Sequence, residues 1–259
     1  MGALTPFEMY PTDLTNSQWK VIKQFLDDGR RRKYSLRRIF NALLYLDRSG
    51  CQWRMLPKTY PPFRICFYYL RKWTRGGIFE RLNTYLVRLR RRAGWRSSEP
   101  SVAVIDSQSI KCSEVGVEAT GFDGGKAIKG RKRHLITDSL GLVLAVAVSA
   151  ANVHDSKGAI LVIRKLFCNG YRKLEKIIGD GGYRGGLIKW ARRCFGWTIE
   201  ITMGLTGAGF KPIPLRWKAE RTIAWMNWDR RLSKDYECTT NSSETMIYLS
   251  NIHRIIRKF

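Results

Sequence analysis

The chain has 259 residues, which is enough for one large core or for a main domain with a helical appendage. Its 47 Lys and Arg residues outnumber 21 Asp and Glu residues, so the formal charge is +26. This charge is spread along the chain and favours nucleic acid as the partner. The longest apolar run, residues 142–148, is too short to cross a bilayer, so we expect no membrane-spanning protein.

Six cysteines and three histidines are scattered through the chain without the paired spacing of a metal site. We therefore expect reduced thiols and no zinc site. Residues 1–10 show no signal-peptide pattern. Together these features predict a cytoplasmic location.

Residues 14–94 carry a helical period. Thr15 is the predicted N-cap of a first helix, residues 35–48 form a second, and residues 63–75 form a third. One side of the third helix is apolar. The opposite side is a basic stripe: Arg64, Tyr68, Arg71, Lys72 and Arg75. We predict that residues 1–96 form an all-α, helix-turn-helix-like domain whose basic stripe contacts DNA. A merely solvated face is the alternative.

The periodicity changes after residues 94–100. Short β-rich runs now appear, at residues 101–105, 133–137, 142–149, 176–179 and 198–203. Helical segments lie between or after them, at residues 155–167, 187–195 and 216–232. Asn241 and Glu244 have the spacing of a capping box and predict a last helix. We expect residues 97–259 to form an α/β domain, a mixed sheet flanked by helices.

Three carboxylates stand at ends of these predicted elements. Asp106 follows the first strand, Asp180 follows the fourth, and Glu220 is the acid in the first two turns of the helix at residues 216–232. If the two strands are neighbours, the carboxylates meet at one edge of the sheet. Their mutual repulsion then implies hard divalent cations between them. Two such ions suit phosphoryl transfer on nucleic acid.

Other charged residues also lie near these predicted elements. Asp155 follows His154 at a predicted helix start, where N-capping is the simpler interpretation and support of the metal site is the alternative. Asp123 is interpreted as a loop residue. The predicted loop at residues 126–133 is a candidate clamp on the DNA backbone through its cations, Lys126, Lys129, Arg131, Lys132 and Arg133.

Several segments, in this order, resemble the DDE transposases of bacterial insertion sequences, in the insertion-sequence-5 family. They are residues 104–111, 130–134, 179–183, 216–222 and 230–236. Residues 14–73 also resemble the N-terminal domain of that family, so the resemblance covers nearly the whole chain.

The resemblance implies a ribonuclease-H-like catalytic fold with Asp106, Asp180 and Glu220 as the catalytic and metal-binding triad. It also implies cutting and joining of double-stranded DNA with two Mg²⁺ ions, for which Mn²⁺ is expected to substitute, and no nucleotide cofactor. The expected partners are the terminal inverted repeats of an insertion sequence and a target, bound by a homodimer in the bacterial nucleoid. A nuclease of the same fold without strand transfer, and a catalytically inert DNA-binding repressor, are the alternatives.

The chain departs from the family signature around Glu220. Arg216 and Glu220 match, but Ile213 stands at the position of the tyrosine and Asn227 at that of the lysine. Arg230 or Arg231 is the candidate for the missing cation. On a continuous helix at residues 216–232, Arg216 and Arg231 are predicted to contact phosphates beside the scissile bond, with a surface salt bridge as the alternative for each.

Overall fold

The computed structural model describes residues 10–26, 29–113, 117–202 and 215–259. Within them, four helices come first: α1 (Asn16–Leu26), α2 (Leu36–Ser49), α3 (Phe63–Arg75) and α4 (Ile78–Ala93). The strands are β1 (Val102–Lys111), β2 (Gly121–Asp123), β3 (Ile128–Asp138), β4 (Val143–Ala150), β5 (Lys176–Gly179) and β6 (Thr198–Ile201). The remaining helices are α5 (Asp155–Cys168), α6 (Gly186–Phe195), α7 (Arg216–Met226) and α8 (Thr240–Ile256).

The N-terminal helices begin at residues that the sequence marks as caps. The Thr15 hydroxyl accepts the Gln18 backbone N–H at 3.3 Å, and the Gln18 side chain accepts the Thr15 N–H at 3.0 Å, so two free donors are satisfied reciprocally. Ser35 caps α2 by accepting the Arg38 N–H. The bounds predicted for α3 agree with the structure. These three helix predictions are confirmed.

The strands form one mixed sheet in the order β2-β3-β1-β5-β6, with β4 also paired to β3. The pairs that β3 makes with β1, β2 and β4 are antiparallel, whereas β1 with β5 and β5 with β6 are parallel. This arrangement confirms the expected α/β class with a ribonuclease-H-like mixed sheet. It also confirms that the strands leading to Asp106 and Asp180 are neighbours.

The structure corrects four predicted element bounds. β1 continues to Lys111, so Asp106 lies within the strand and not at its end. β3 begins at Ile128, so most of the predicted clamp at residues 126–133 is strand. Helix α7 ends at Met226, and a separate 3₁₀ turn follows at Arg230–Leu232. Thr239 caps α8, while Glu244 faces inward and accepts the Val148 N–H at 3.0 Å.

Helix α8 joins the helical N-terminal part to the sheet, because it packs against α2 and α4 on one side and β4 on the other. Buried polar contacts cross the same boundary. The Asn83 side chain on α4 donates to the Val143 carbonyl on β4 at 2.8 Å, and Asn251 on α8 donates to Asn83 at 2.6 Å. A division at residue 96 remains a prediction, since one apolar core runs through both parts. None of the described helices is long and apolar enough to span a bilayer.

Candidate active site

Two of the predicted acids lie on one face of the sheet because side chains alternate along a strand. Val104 on β1 is paired with Ile178 on β5. Asp106 is two residues after Val104, and Asp180 is two residues after Ile178 in extended backbone. Both carboxylates therefore follow an apolar residue of the same face, at the point where the parallel pairing of β1 with β5 ends.

The third acid is brought to this face by α7. Ala219 is fully buried against Val104 and Ile178, and the next residue, Glu220, lies near enough to Asp106 for its charge to act on that carboxyl. The Thr222 hydroxyl donates to the Gly141 carbonyl at 2.7 Å, which fixes the same helix to the turn between β3 and β4. Small and polar residues thus set the position of α7 on the sheet.

Arg216 lies between two of the acids. Its Nη2 is 3.9 Å from Asp180 Oδ2 and 3.5 Å from Glu220 Oε1. The side chains of Asp180 and Glu220 remain accessible, with exposed fractions of 40% and 54%. Among the residues that the structure describes, no three His, Cys, Asp or Glu side chains are close enough to enclose an ion. The guanidinium is the cation that offsets the repulsion between these two carboxylates.

Asp106 is the most enclosed of the three acids. Burial raises the pKa of its carboxyl to about 6, and the negative charges of Asp180 and Glu220 act in the same direction. The Ser107 N–H, which donates to Asp106 Oδ1 at 2.8 Å, and the Arg216 charge oppose this increase in pKa. Carboxylate oxygens are the ligands that a hard divalent cation prefers, so the chemistry of these three acids suits such an ion, although the described side chains do not enclose one in this arrangement.

The sequence did not predict how Asp155 is placed. His154 caps α5 by accepting the Ser156 N–H, so the N-capping interpretation of Asp155 is wrong. The Asp155 side chain instead accepts the Ser107 hydroxyl at 2.9 Å and lies 3.2 Å from Lys132 Nζ. The signal in the sequence was the position of Asp155 directly after His154 at a predicted helix start, which favoured N-capping over support of the metal site.

Most predicted DNA-contacting cations lie at the surface. The stripe on α3 is exposed at Arg64, Tyr68, Arg71, Lys72 and Arg75. Lys126 and Lys129 flank the start of β3 and are exposed, as is Arg230 in the 3₁₀ turn. Arg216 is 19% exposed and faces Asp180 and Glu220. These side chains are accessible to a phosphate backbone.

Four other predicted DNA contacts are corrected, because their side chains point inward. Arg131 pairs with Asp235 at 3.2 Å, and the exposed fractions of the two side chains are 0% and 1%. Arg133 is buried and donates to the Leu232 carbonyl at 2.9 Å. Lys132 lies between Asp123 and Asp155, and Arg231 pairs with Glu237 at 2.7 Å.

The physical reason for this correction is the position of β3. The strand has β1 on one edge and β2 and β4 on the other, and both α5 and α7 pack on it. From Gly130 onward its residues are therefore buried whichever face their side chains point to, and buried charges need partners. Arg231 is buried because the chain turns after α7 instead of continuing as a helix.

The fold and the site together define an α/β protein with a mixed sheet, in which Asp106 and Asp180 on one face of the sheet lie near Glu220 of α7. The model of the transposase DDE domain matches residues 97–254, and the model of the putative transposase of IS4/5 family matches residues 14–83. Because the first match covers more than half of the chain, the protein belongs to the DDE-domain transposase family.

A curated relative is the putative transposase for insertion sequence element IS402 of Burkholderia cepacia. It is 31% identical over 140 residues, which are 52% of this chain and 64% of the relative. The aligned part is thus less than two thirds of that protein.

The chain also aligns with solved structures of the Mos1 strand transfer complex and of the Mos1 mariner paired end complex with Mn, at lower sequence identity than with the IS402 relative. Each alignment covers 90% of this chain and 79% of the other, with TM-scores of 0.34 and 0.32 and identities of 13% and 14%.

Proposed function

We propose that this protein is a transposase that binds the terminal inverted repeats of an insertion sequence, cuts the DNA beside them and joins the freed ends to a target. The observation that carries this proposal is the proximity of Asp106, Asp180 and Glu220, with Arg216 between the last two. Membership of the DDE-domain transposase family supports the same activity.

In this proposal the three carboxylates hold two Mg²⁺ ions, with Mn²⁺ as a substitute. Asp106, the most enclosed acid, Asp180 and Glu220 would supply the carboxylate oxygens that hold these ions. Bound divalent ions supply Lewis-acid activation of an oxygen nucleophile and neutralise charge at the phosphodiester.

The chain's own groups do the remaining work. The Ser107 and Gly182 N–H groups orient the carboxylates of Asp106 and Asp180 by hydrogen bonds of 2.8 and 2.9 Å. Arg216 binds a non-bridging phosphate oxygen beside the scissile bond, for which a guanidinium is well suited. Water is the nucleophile for cutting and the freed 3′ hydroxyl is the nucleophile for joining, so no covalent protein intermediate is required.

The DNA path in this proposal follows exposed cations. The α3 stripe binds the terminal repeat, and Lys126, Lys129 and Arg230 bind backbone phosphates nearer the active site. Two transposon ends must be held together for joining, so we propose a homodimer on DNA. The formal charge of +26 accords with a protein that resides on the nucleoid.

Strand-transfer assays with pre-cut and uncut transposon ends test the proposal. We expect the wild-type protein to cut and to join in Mg²⁺ or Mn²⁺, and Asp180→Asn to lose both reactions while it still binds the ends. Glu200→Gln is the matched control, because Glu200 is an exposed acid on β6 that pairs with Lys176.

Each alternative has its own outcome in this assay. Cutting without joined product would identify a nuclease of the same fold. End binding without cutting by the wild-type protein would identify a repressor. Normal cutting by Asp180→Asn would show that the proposed site is wrong.

A further inference from the structure

Asp155 lies next to the segments of β1 and of the turn after β5 that carry two proposed metal ligands, although it belongs to neither segment. It is the first residue of α5, and its Oδ1 accepts the Ser107 hydroxyl at 2.9 Å. Ser107 in turn donates its backbone N–H to Asp106 at 2.8 Å. The first turn of α5 is thereby linked to the backbone that orients Asp106.

The other oxygen of Asp155 faces the turn after β5. A methyl group in place of a Gly182 hydrogen would lie 3.2 Å from Asp155 Oδ2 and 3.1 Å from Asp180 Oδ1. Gly182 also donates its N–H to Asp180 at 2.9 Å. One side chain therefore accepts a hydrogen bond from Ser107 and lies beside Gly182, the two residues whose N–H groups orient the two acids.

A buried cation keeps Asp155 in this place. Lys132 Nζ on β3 is 3.2 Å from Asp155 Oδ1 and 3.5 Å from Asp123 Oδ2, and its side chain is only 9% exposed. An ammonium group so enclosed requires negative partners. The Asp155 carboxylate therefore ties α5 to β1, β3 and the turn after β5 at once.

We propose that Asp155 is a positioning residue of this site, which sets the separation of Asp106 and Asp180 through Ser107 and Gly182. The inference rests on the proposed function, because it assigns a role relative to the proposed metal ligands. The competing explanation is that an acid in the first turn only stabilises α5 through the helix dipole. That explanation involves α5 alone and not the binding of an ion.

The two explanations are separated by measuring ion binding without turnover. The probe is Mn²⁺, whose free concentration is followed by electron paramagnetic resonance, with the full-length protein on a pre-cut end that lacks its 3′ hydroxyl. Asp155→Ala, Asp155→Asn and Ser107→Ala are compared with the wild type. His154→Ala is the matched control, since it removes the N-cap of the same helix and leaves the Asp155 contacts in place.

We expect Asp155→Ala to weaken Mn²⁺ binding by about tenfold or more, as is typical when a group that supports metal ligands is removed. Asp155→Asn keeps an acceptor for Ser107 but loses the charge beside Lys132, so its loss should be smaller. The double variant Ser107→Ala/Asp155→Ala should bind Mn²⁺ no more weakly than Asp155→Ala. His154→Ala should lower the melting temperature and keep wild-type affinity for Mn²⁺.

The inference is overturned if Asp155→Ala binds Mn²⁺ as tightly as the wild type and merely melts earlier, as His154→Ala does. In that case a loss of binding in Asp180→Asn would leave the proposed function intact. If Asp180→Asn also binds Mn²⁺ normally, the proposed site and the role of Asp155 both fail.

Discussion

The guanidinium of Arg216 lies 3.9 Å from the carboxylate of Asp180 and so connects the first residue of α7 to the end of β5. It also lies 3.5 Å from Glu220 on its own helix.

Arg216→Ala should reduce DNA cleavage about a hundredfold, because a positive group aimed at the reacting phosphate is lost and the acids repel each other. The cleavage rate of Arg216→Lys should lie between that of the wild type and that of Arg216→Ala. Single-turnover cleavage measures this, and Arg193→Ala, at an exposed position of α6, should cleave normally.

Gly182 is a second sensitive position, because an added methyl would lie 3.1 Å from Asp180 Oδ1 and 3.2 Å from Asp155 Oδ2. These distances are tight, so Gly182→Ala should displace both carboxylates. We expect loss of cleavage and of Mn²⁺ binding with end binding retained. Gly186→Ala is the control, since nothing lies within 4 Å of the added methyl there. Equal activity of the two variants would contradict the proposed geometry.

The corrected roles of the β3 cations predict opposite effects at two nearby positions. Arg131→Ala leaves Asp235 buried without its partner and should lower the free energy of unfolding by about 3–5 kcal/mol. Lys129→Ala, at an exposed position, should leave stability nearly unchanged and weaken DNA binding. Chemical denaturation measures the free energy of unfolding of each variant, and filter binding measures its affinity for DNA. A stable Arg131→Ala with weak DNA binding would restore the clamp interpretation.

The exposed stripe on α3 predicts a salt-dependent effect. Arg71→Ala and Arg75→Ala should each weaken binding of the terminal repeat and reduce the slope of log affinity against log salt by about 1, as expected for one lost phosphate contact. Binding is measured by fluorescence anisotropy over a salt series. Lys173→Ala removes an exposed cation outside the stripe and should keep the wild-type slope. An unchanged slope in both arginine variants would favour a merely solvated face.

Burial lowers the pKa of His134 to about 4, against an ordinary value near 6.5. The folded state therefore favours the neutral imidazole ring of His134. The contribution of this neutral ring to the free energy of unfolding is fully present above pH 6.5 and is lost as the pH falls toward 4. The loss is about 3 kcal/mol. Urea unfolding at several pH values should show a shallower pH dependence for His134→Gln than for the wild type. His154→Asn, at an exposed position, should retain the wild-type dependence.

The sequence predicted the helices of the N-terminal part well because their signals are local. The Thr15 and Ser35 caps and the apolar period of α3 are all contained within a few residues of chain. It also predicted β5 at its observed bounds, since the apolar run ends at glycine. The order of Asp106, Asp180 and Glu220 relative to these elements was sufficient to propose a shared site.

The bounds of β1 and β3 were not predictable in the same way. Both strands continue through polar and basic residues, because each pairs with the other over residues 103–111 and 130–138. The hydrogen bonds of this ladder are made with a strand that is distant in sequence, so the local pattern of apolar residues does not show where either strand ends. After α7 ends at Met226, the chain likewise makes contacts with distant segments: the 3₁₀ turn packs against α2, and Arg133 of β3 donates to the Leu232 carbonyl.

By itself, then, the sequence determined the class of fold, the three acids and the strongly basic character of the chain, since composition, periodicity and order along the chain carry that information. Tertiary structure alone decided which cations are exposed and which are enclosed. Lys129 and Arg131 look alike in sequence, yet one is exposed and the other pairs with Asp235, 104 residues away. It also decided that Asp155 meets Ser107 across the fold, because the partners of a buried charge are chosen by packing between distant segments.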